Sequence, residues 1–368
     1  MIGYGNSVFL RTAWEVSGGV PPVNTVAPAI TGTAQEGQIV TCSTGTWTGT
    51  PTITFAYQWK RNGSNIGSAT NSTYTLVTAD VSQSITCQVT ATNGVGSASA
   101  TSNTITPTAV LLLDTYSGSS VAFSLRKLRS AYSGSAIRVR RSSDNAEQNI
   151  GFVNNVLDTA SLLTFCGAGN GFVTTWYDQS GNANNGTQTT AINQPQIVSS
   201  GAMITVNGKN SIKFDGLNDN FNLTSTINAG VSSFNSLVGK RNASGNNLIG
   251  LSGFGSGPQY SYMLFQDNNY YLIAKSTNWQ ISTSTDLTAN QLLLSGQNNA
   301  GTMSMFKNGN TIASVQQAQS VTLQITTIAS YNVFYNNGNL QEIVFYNSEQ
   351  SANRTGIETN INTFYTIY

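Results

Sequence analysis

The sequence predicts an all-β protein made of two sandwiches, the second closed by a short C-terminal helix. Three observations predict it. Charged residues make up only 8% of the 368 residues, against about 25% in an average globular chain, and Ser, Thr, Asn, Gln and Gly take their place. The apolar 39% falls in short alternating runs divided by turn residues, the pattern of many short strands. Only the last stretch, SEQSANRTGIETNINTFYTIY, changes to a helical period.

Residues 1–20 read as an arm and linker. Phe9, Leu10 and Trp14 are too few to bury a core, and SGGVPP follows them. An apolar arm with an aromatic anchor can order on contact with a larger assembly; a frayed terminus is the plainer reading. MIGYGNSVFLRTAWEV has neither a basic region nor a long apolar run, so it is not expected to be a secretory signal.

Residues 21–108 read as the first sandwich. Val40 and Cys42, Tyr57 and Trp59, Tyr74 and Leu76, then Ile85, Cys87 and Val89 alternate with polar neighbours. Cys42, Trp59 and Cys87 follow the Cys…Trp…Cys order of immunoglobulin sandwiches. An oxidised pair would stabilise the fold by roughly 3–5 kcal/mol; in a reducing compartment the pair would be two small buried apolar groups. The stretch from GTWTGTPTITFAYQWKRNG to SITCQVTATNGVGSASATSN resembles the Ig-like modules of bacterial and phage surface proteins. That resemblance implies a spacer and no chemistry.

Residues 109–368 read as the second sandwich. VLLLD opens it as a buried strand, and IRVRR alternates buried Ile137 and Val139 with a wet face of Arg138 and Arg140. SIKFDG and NDNFNL are strands. MSMFKNGNTIAS is a hairpin turning at Asn308-Gly309. NLQEIVFYN is the last strand. Ile357, Ile361, Phe364 and Tyr365 share one face of the closing helix, with Ser348 as its N-cap and Glu349 in its first turn.

Several chemistries are excluded. With no histidine, Ser-His-Asp and Cys-His systems in their usual forms fall away. Three scattered cysteines do not make a zinc site. Net charge of +1 leaves no footprint for nucleic acid, and no apolar run approaches the ~20 residues of a membrane span. GAGNG (167–171) lacks a following helix and reads as a turn, not a phosphate loop. Calcium is the one candidate metal ion, through Asp215, Asp219 and carbonyls of FDGLNDN, although a plain turn explains the same residues. In TWYDQSGNANNGTQ, Trp176 and Tyr177 are candidate sugar-stacking rings, as is Trp279, with Tyr270 and Tyr271 competing. The alternative for the first two is a position between core and surface, with Asp178 tying the turn that follows.

LRKLRSAYSGSAIRVRRSSDNAEQNIGF, LLTFCGAGNGFVTTWYDQSGNANNGTQ and VNGKNSIKFDGLNDNF resemble the catalytic domain of α-L-arabinofuranosidase B, a concanavalin A-like jelly roll acting on arabinose side chains. The likeness is strong over 112–223 and thin afterwards, and the same blocks recur in phage structural proteins with concanavalin A-like or laminin-G-like domains. The family implies two catalytic carboxylates, one in a Met-Glu strand and one in a Gly-Gly-Asp-Asn loop. The counterparts here, YSYMLF (260–265) and ASYNVFYNNGN (329–339), hold neither acid. Between Asn220 and Leu340 the carboxylates are Asp267 and Asp286 alone, and Cys166 stands without the family's adjacent cysteine.

The expectation from sequence is therefore a catalytically inert bacteriophage virion surface protein, a capsid decoration, head fibre or tail-associated component. Its arm would dock on a capsid or tail protein and its jelly roll would face host polysaccharide, in many copies or as a homo-oligomer, with no catalytic residue and no required cofactor. A glycoside hydrolase of the α-L-arabinofuranosidase type, dependent on Asp267 or Asp286, is the alternative. A bacterial surface adhesin is the third reading.

Overall fold

The computed structural model describes residues 18–230, 232–242, 248–253, 264–266, 270–275, 279–283, 290–299, 302–316, 323–331 and 334–368. The arm residues Phe9, Leu10 and Trp14 lie outside them. The chain divides into two units, Met1–Val110 and Leu111–Tyr368.

In the smaller unit, Ile30–Thr31, Ile39–Cys42 and Thr73–Thr75 form one sheet, while Ser64–Asn65, Thr54–Arg61, Ile85–Thr92 and Ser97–Thr101 form another. Strict alternation in Ile85–Thr92 buries Ile85, Cys87, Val89 and Ala91. These meet Val40, Cys42, Trp59 and Leu76 in one core. Cys42 and Cys87 are both thiols in contact there; the hydrogen bond from Cys87 pulls the Cys42 thiol down and pushes its partner up. The Trp59 ring stacks on Tyr74 at 5.4 Å and its Nε1 donates to the Asn71 carbonyl at 2.9 Å. Asp80 is fully buried and accepts from Arg61 Nε at 2.8 Å, Tyr74 Oη at 2.9 Å and Val77 N at 2.8 Å.

The larger unit is β-sandwich-like. Sixteen of the described strands form one continuous hydrogen-bonded network. One leaflet contains Ile137–Arg141, Gly171–Trp176, Gly186–Thr187, Phe221–Ala229 and Leu323–Ile328; the other contains Val121–Ser124, Asn337–Tyr346, Ser233–Arg241, Leu292–Asn299 and Thr302–Lys307. Val173, Trp176, Phe221 and Ile325 from the first meet Leu237, Leu294, Met305 and Ile343 from the second in a single core, so the sheet folds back on itself. Ile212–Asp215 joins the leaflets, pairing with Gln196 on one side and with Asn337 to Leu340 on the other.

A second core covers the outer face of the second leaflet. There Ile357, Ile361 and Tyr365 of the helix Arg354–Tyr365 pack on Phe234, Val238, Leu293, Val344 and Tyr346. The helical face is as read from sequence, but the helix starts at Arg354 with Asn353 at its N-cap rather than at Ser348. Glu349 instead accepts the Ser351 N–H in a preceding turn. VLLLD is also corrected: Leu112–Thr115 is a helical turn whose leucines join this second core. A further helix, Thr159–Cys166, is capped by Asp158, which accepts the Ser161 N–H at 3.0 Å. Cys166 at its end is buried, and that burial raises its thiol above the usual range. The Asn308-Gly309 hairpin forms with both residues at positive φ, 50° and 79°.

Candidate active site

The stretch FDGLND makes a closed turn between Ile212–Asp215 and Phe221–Ala229. Asp215 Oδ1 accepts the N–H groups of Leu217 at 2.8 Å and Asn218 at 3.3 Å. Asp219 Oδ2 accepts the Asp215 N–H at 2.9 Å. Gly216 sits at φ +83°, and a Cβ there would lie 2.7 Å from the Asn337 side chain, so both conformation and space call for glycine. The calcium reading shares these atoms with the turn, which already occupies one oxygen of each carboxylate with its own backbone. Among the described residues, no three His, Cys, Asp or Glu side chains gather as a metal site.

The two acids differ in environment. Asp215 is exposed, whereas Asp219 is 6% exposed. Burial first, and the Asp215 charge second, push the Asp219 carboxyl up to about 7, against the pull of the Asp215 N–H. A carboxylic acid half-protonated near neutrality can donate a proton. The next residue ties the end of the turn to its neighbours: Asn220 Nδ2 donates to Ser330 Oγ at 3.3 Å and its carbonyl accepts from Gln188 Nε2 at 3.2 Å. Asn242 Nδ2 donates to Asn337 Oδ1 at 3.0 Å.

The outward face of the first leaflet leads away from this turn. Thr175, Thr187, Asn222 and Thr327 are successive cross-strand partners, and direct partners share a face; the next partner, Ser252, is fully buried and bonds Thr327 and the Ser330 carbonyl. The row offers neutral hydroxyl and amide groups, the chemistry that meets sugar hydroxyls. Arg138 continues it as the partner of Thr175, and is held by Glu147 at 2.6 Å. Ile137 and Val139 are buried beneath, as the alternation in IRVRR indicates.

The ring residues singled out from sequence are not gathered here. Trp176 is fully enclosed, with Phe123 at 5.6 Å and Phe221 at 6.3 Å; a ring with no accessible face cannot stack on a sugar, so its assignment as a ligand residue is corrected to core. Tyr177 is half-buried and donates from Oη to Asn149 Oδ1 at 2.9 Å. Trp279 opens the strand Trp279–Thr283, and its side chain lies outside the described residues, as do those of Tyr270 and Tyr271 and all of Asp267 and Asp286. Asp178 ties its turn as expected, accepting from the N–H groups of Ala122 at 2.8 Å, Ser180 at 2.9 Å and Asn184 at 3.1 Å.

Comparison with known proteins follows the same lines. The family model of the α-L-arabinofuranosidase B catalytic domain matches residues 114–271, a span that includes both Asp215 and Asp219. An arabinofuranosidase complexed with arabinofuranosyl-α-1,2-xylobiose superposes with a TM-score of 0.55 at 16% identity, over 68% of this chain and 64% of that one. A glutamine-for-glutamate variant of a GH54 α-L-arabinofuranosidase, soaked with 4-nitrophenyl α-L-arabinofuranoside, gives 0.57 at the same identity and coverage. The chain thus spans just under two thirds of the length of these structures. No curated protein sequence matches it.

These findings overturn the expectation of an inert virion component. The matching model is that of a catalytic domain, and the two solved structures described above, which share the fold, are arabinofuranosidases. The stretches 260–265 and 329–339, which hold neither of the acids the family resemblance implies, lie partly outside the described residues. Two aspartates four apart around a glycine were visible in the sequence.

Proposed function

We propose that the Leu111–Tyr368 unit is a glycoside hydrolase of the α-L-arabinofuranosidase type, acting on arabinose side chains of a polysaccharide. The observation that carries this reading is the match of residues 114–271 to the α-L-arabinofuranosidase B catalytic-domain model, with a fold shared with solved arabinofuranosidases; Asp219, buried in the FDGLND turn within that span beside Asp215, is the candidate acid. Asp219 acts as general acid: its proton passes to the glycosidic oxygen as the bond to the sugar's anomeric carbon breaks. Asp215 faces the positive charge that develops on the sugar, either attacking the anomeric carbon or taking a proton from the attacking water. The neutral row from Thr175 to Thr327 holds the polymer. Carboxyl chemistry of this kind requires no cofactor.

The larger unit is read as a concanavalin A-like jelly roll. The smaller, with Cys42, Trp59 and Cys87 between two sheets, is read as an Ig-like spacer.

The test is turnover of 4-nitrophenyl α-L-arabinofuranoside and release of arabinose from arabinan by the full chain. Asp219→Asn should lower kcat by about 10²–10⁴-fold. Because the protonated form is the active one, the wild-type rate should fall as pH rises through about 7. Full activity in Asp219→Asn, or no turnover of either substrate by the wild type, would refute the assignment.

A further inference from the structure

In the strand Gly171–Trp176, Trp176 points into the core, so Thr175 before it and Tyr177 after it point outward. The Tyr177 N–H donates to the Ala136 carbonyl at 3.0 Å, which keeps the residue in line with the strand. Its hydroxyl donates to Asn149 Oδ1 at 2.9 Å, yet Asn149 is not on the adjacent strand. Ile137–Arg141 runs between them, pairing with Gly171–Trp176 on one side and with Glu147–Ile150 on the other. The bond therefore bridges two strand spacings, about 10 Å. A tyrosine standing upright on a sheet does not span that distance, so this ring lies across the middle strand. One side of it is toward the sheet and the other toward solvent, and Tyr177 keeps part of its surface exposed.

The ring extends the row of neutral groups that begins at Thr175. Asn149 is the cross-strand partner of Arg138, and Arg138 is that of Thr175. Glu147, at 2.6 Å, cancels the Arg138 charge. A flat aromatic surface beside neutral hydroxyls and amides matches a sugar, which offers a face of C–H groups to the ring and hydroxyls at its rim. An apolar peptide segment would use the ring but not the hydroxyls and amides of the row. A polyanion would meet an arginine that is already paired.

Thr175, Thr187 and Asn222 lie level with one another across their strands. Tyr177 is two residues beyond Thr175, and Asp219 is three residues before Asn222 on a chain running the same way. Five residues along the strands and two spacings across them place the ring about 20 Å from the acid, farther than a single sugar reaches. We propose that Tyr177 is a stacking platform for the main chain of a neutral, arabinose-bearing polysaccharide, bound several sugars away from the acid pair. The ring holds the polymer and takes no part in breaking the bond. The choice of polysaccharide rests on the hydrolase reading; the platform does not.

The experiment is affinity electrophoresis of the full chain in gels containing arabinoxylan, in the Asp219→Asn background so that the polymer is not consumed. Tyr177→Leu, which keeps the bulk but not the flat face, should weaken retention about tenfold. Tyr177→Phe and Tyr177→Trp, which keep a ring, should stay within about threefold, each variant having an unchanged thermal midpoint. Retention should be the same at low and high salt, as for a neutral ligand. With Asp219 intact, Tyr177→Leu should raise the ratio of KM for arabinoxylan to KM for 4-nitrophenyl α-L-arabinofuranoside about tenfold. No retention, retention unaltered in Tyr177→Leu, an equal loss in Tyr177→Phe, or release by salt would each overturn the platform. Retention that depends on Tyr177 in a chain without turnover would refute the hydrolase reading and uphold the platform.

Discussion

At the scale of single residues, Asp219 sets function against stability. Its folded carboxyl titrates near 7 and its unfolded one near the ordinary value of 3.8, so the folded state holds the proton more tightly. Its contribution to stability is fully present below about pH 4 and is lost as pH rises through about 7. A shift of this size corresponds to about 4 kcal/mol at most. Asp219→Asn should therefore match the wild type in urea denaturation at pH 4 and exceed it by about 2–4 kcal/mol at pH 8. An unchanged difference between the two pH values would remove the case for a strained acid. The turn itself was legible from FDGLND, because Asx turns are local chemistry. The shift was not legible, because its first cause is burial, which depends on tertiary packing and not on the local turn.

At the scale of elements, the C-terminal helix is fixed to its leaflet by a buried ion pair. Arg126 donates from Nε to Glu342 Oε2 at 2.7 Å and from Nη2 to Oε1 at 2.9 Å, while its Nη1 reaches Asn360 Oδ1 on the helix at 2.9 Å. Tyr365 Oη adds a contact to Glu342 at 3.3 Å. Glu342→Gln leaves the guanidinium buried without its counter-charge, which should cost about 3–5 kcal/mol in chemical denaturation; a loss below 1 kcal/mol would mean that the pair does not hold the helix. Sequence gave the apolar face of this helix, since Ile357, Ile361 and Tyr365 repeat at helical spacing. It could not give the ion pair, whose members are 216 residues apart. VLLLD reads as a strand from sequence but folds as a helical turn, because a short apolar run has no period that separates the two. Ser348 was misplaced as a cap because the chain makes one more turn before the helix begins, with Arg354 N donating to the Gln350 carbonyl at 2.7 Å.

At the scale of the molecule, the two units carry separate cores and should melt separately. Oxidising the Cys42 and Cys87 thiols would close a long loop in the smaller unit and stabilise it by about 4 kcal/mol. Calorimetry with and without reductant should move only one transition, upward on oxidation by on the order of 15 °C; equal movement of both would contradict independent cores. The division into a Cys…Trp…Cys segment and a longer strand-rich segment could be drawn from sequence because each has its own spacing of turns. The folding of one network into two leaflets could not, because it depends on pairings across most of the chain. Those pairings are unequal where the leaflets join. Ile212–Asp215 is stitched to Asn337–Tyr346 at four positions but to Gln196–Ser199 at one. The seam to Gln196–Ser199 should therefore part before the seam to Asn337–Tyr346, where Asp215 is held as the partner of Asn337.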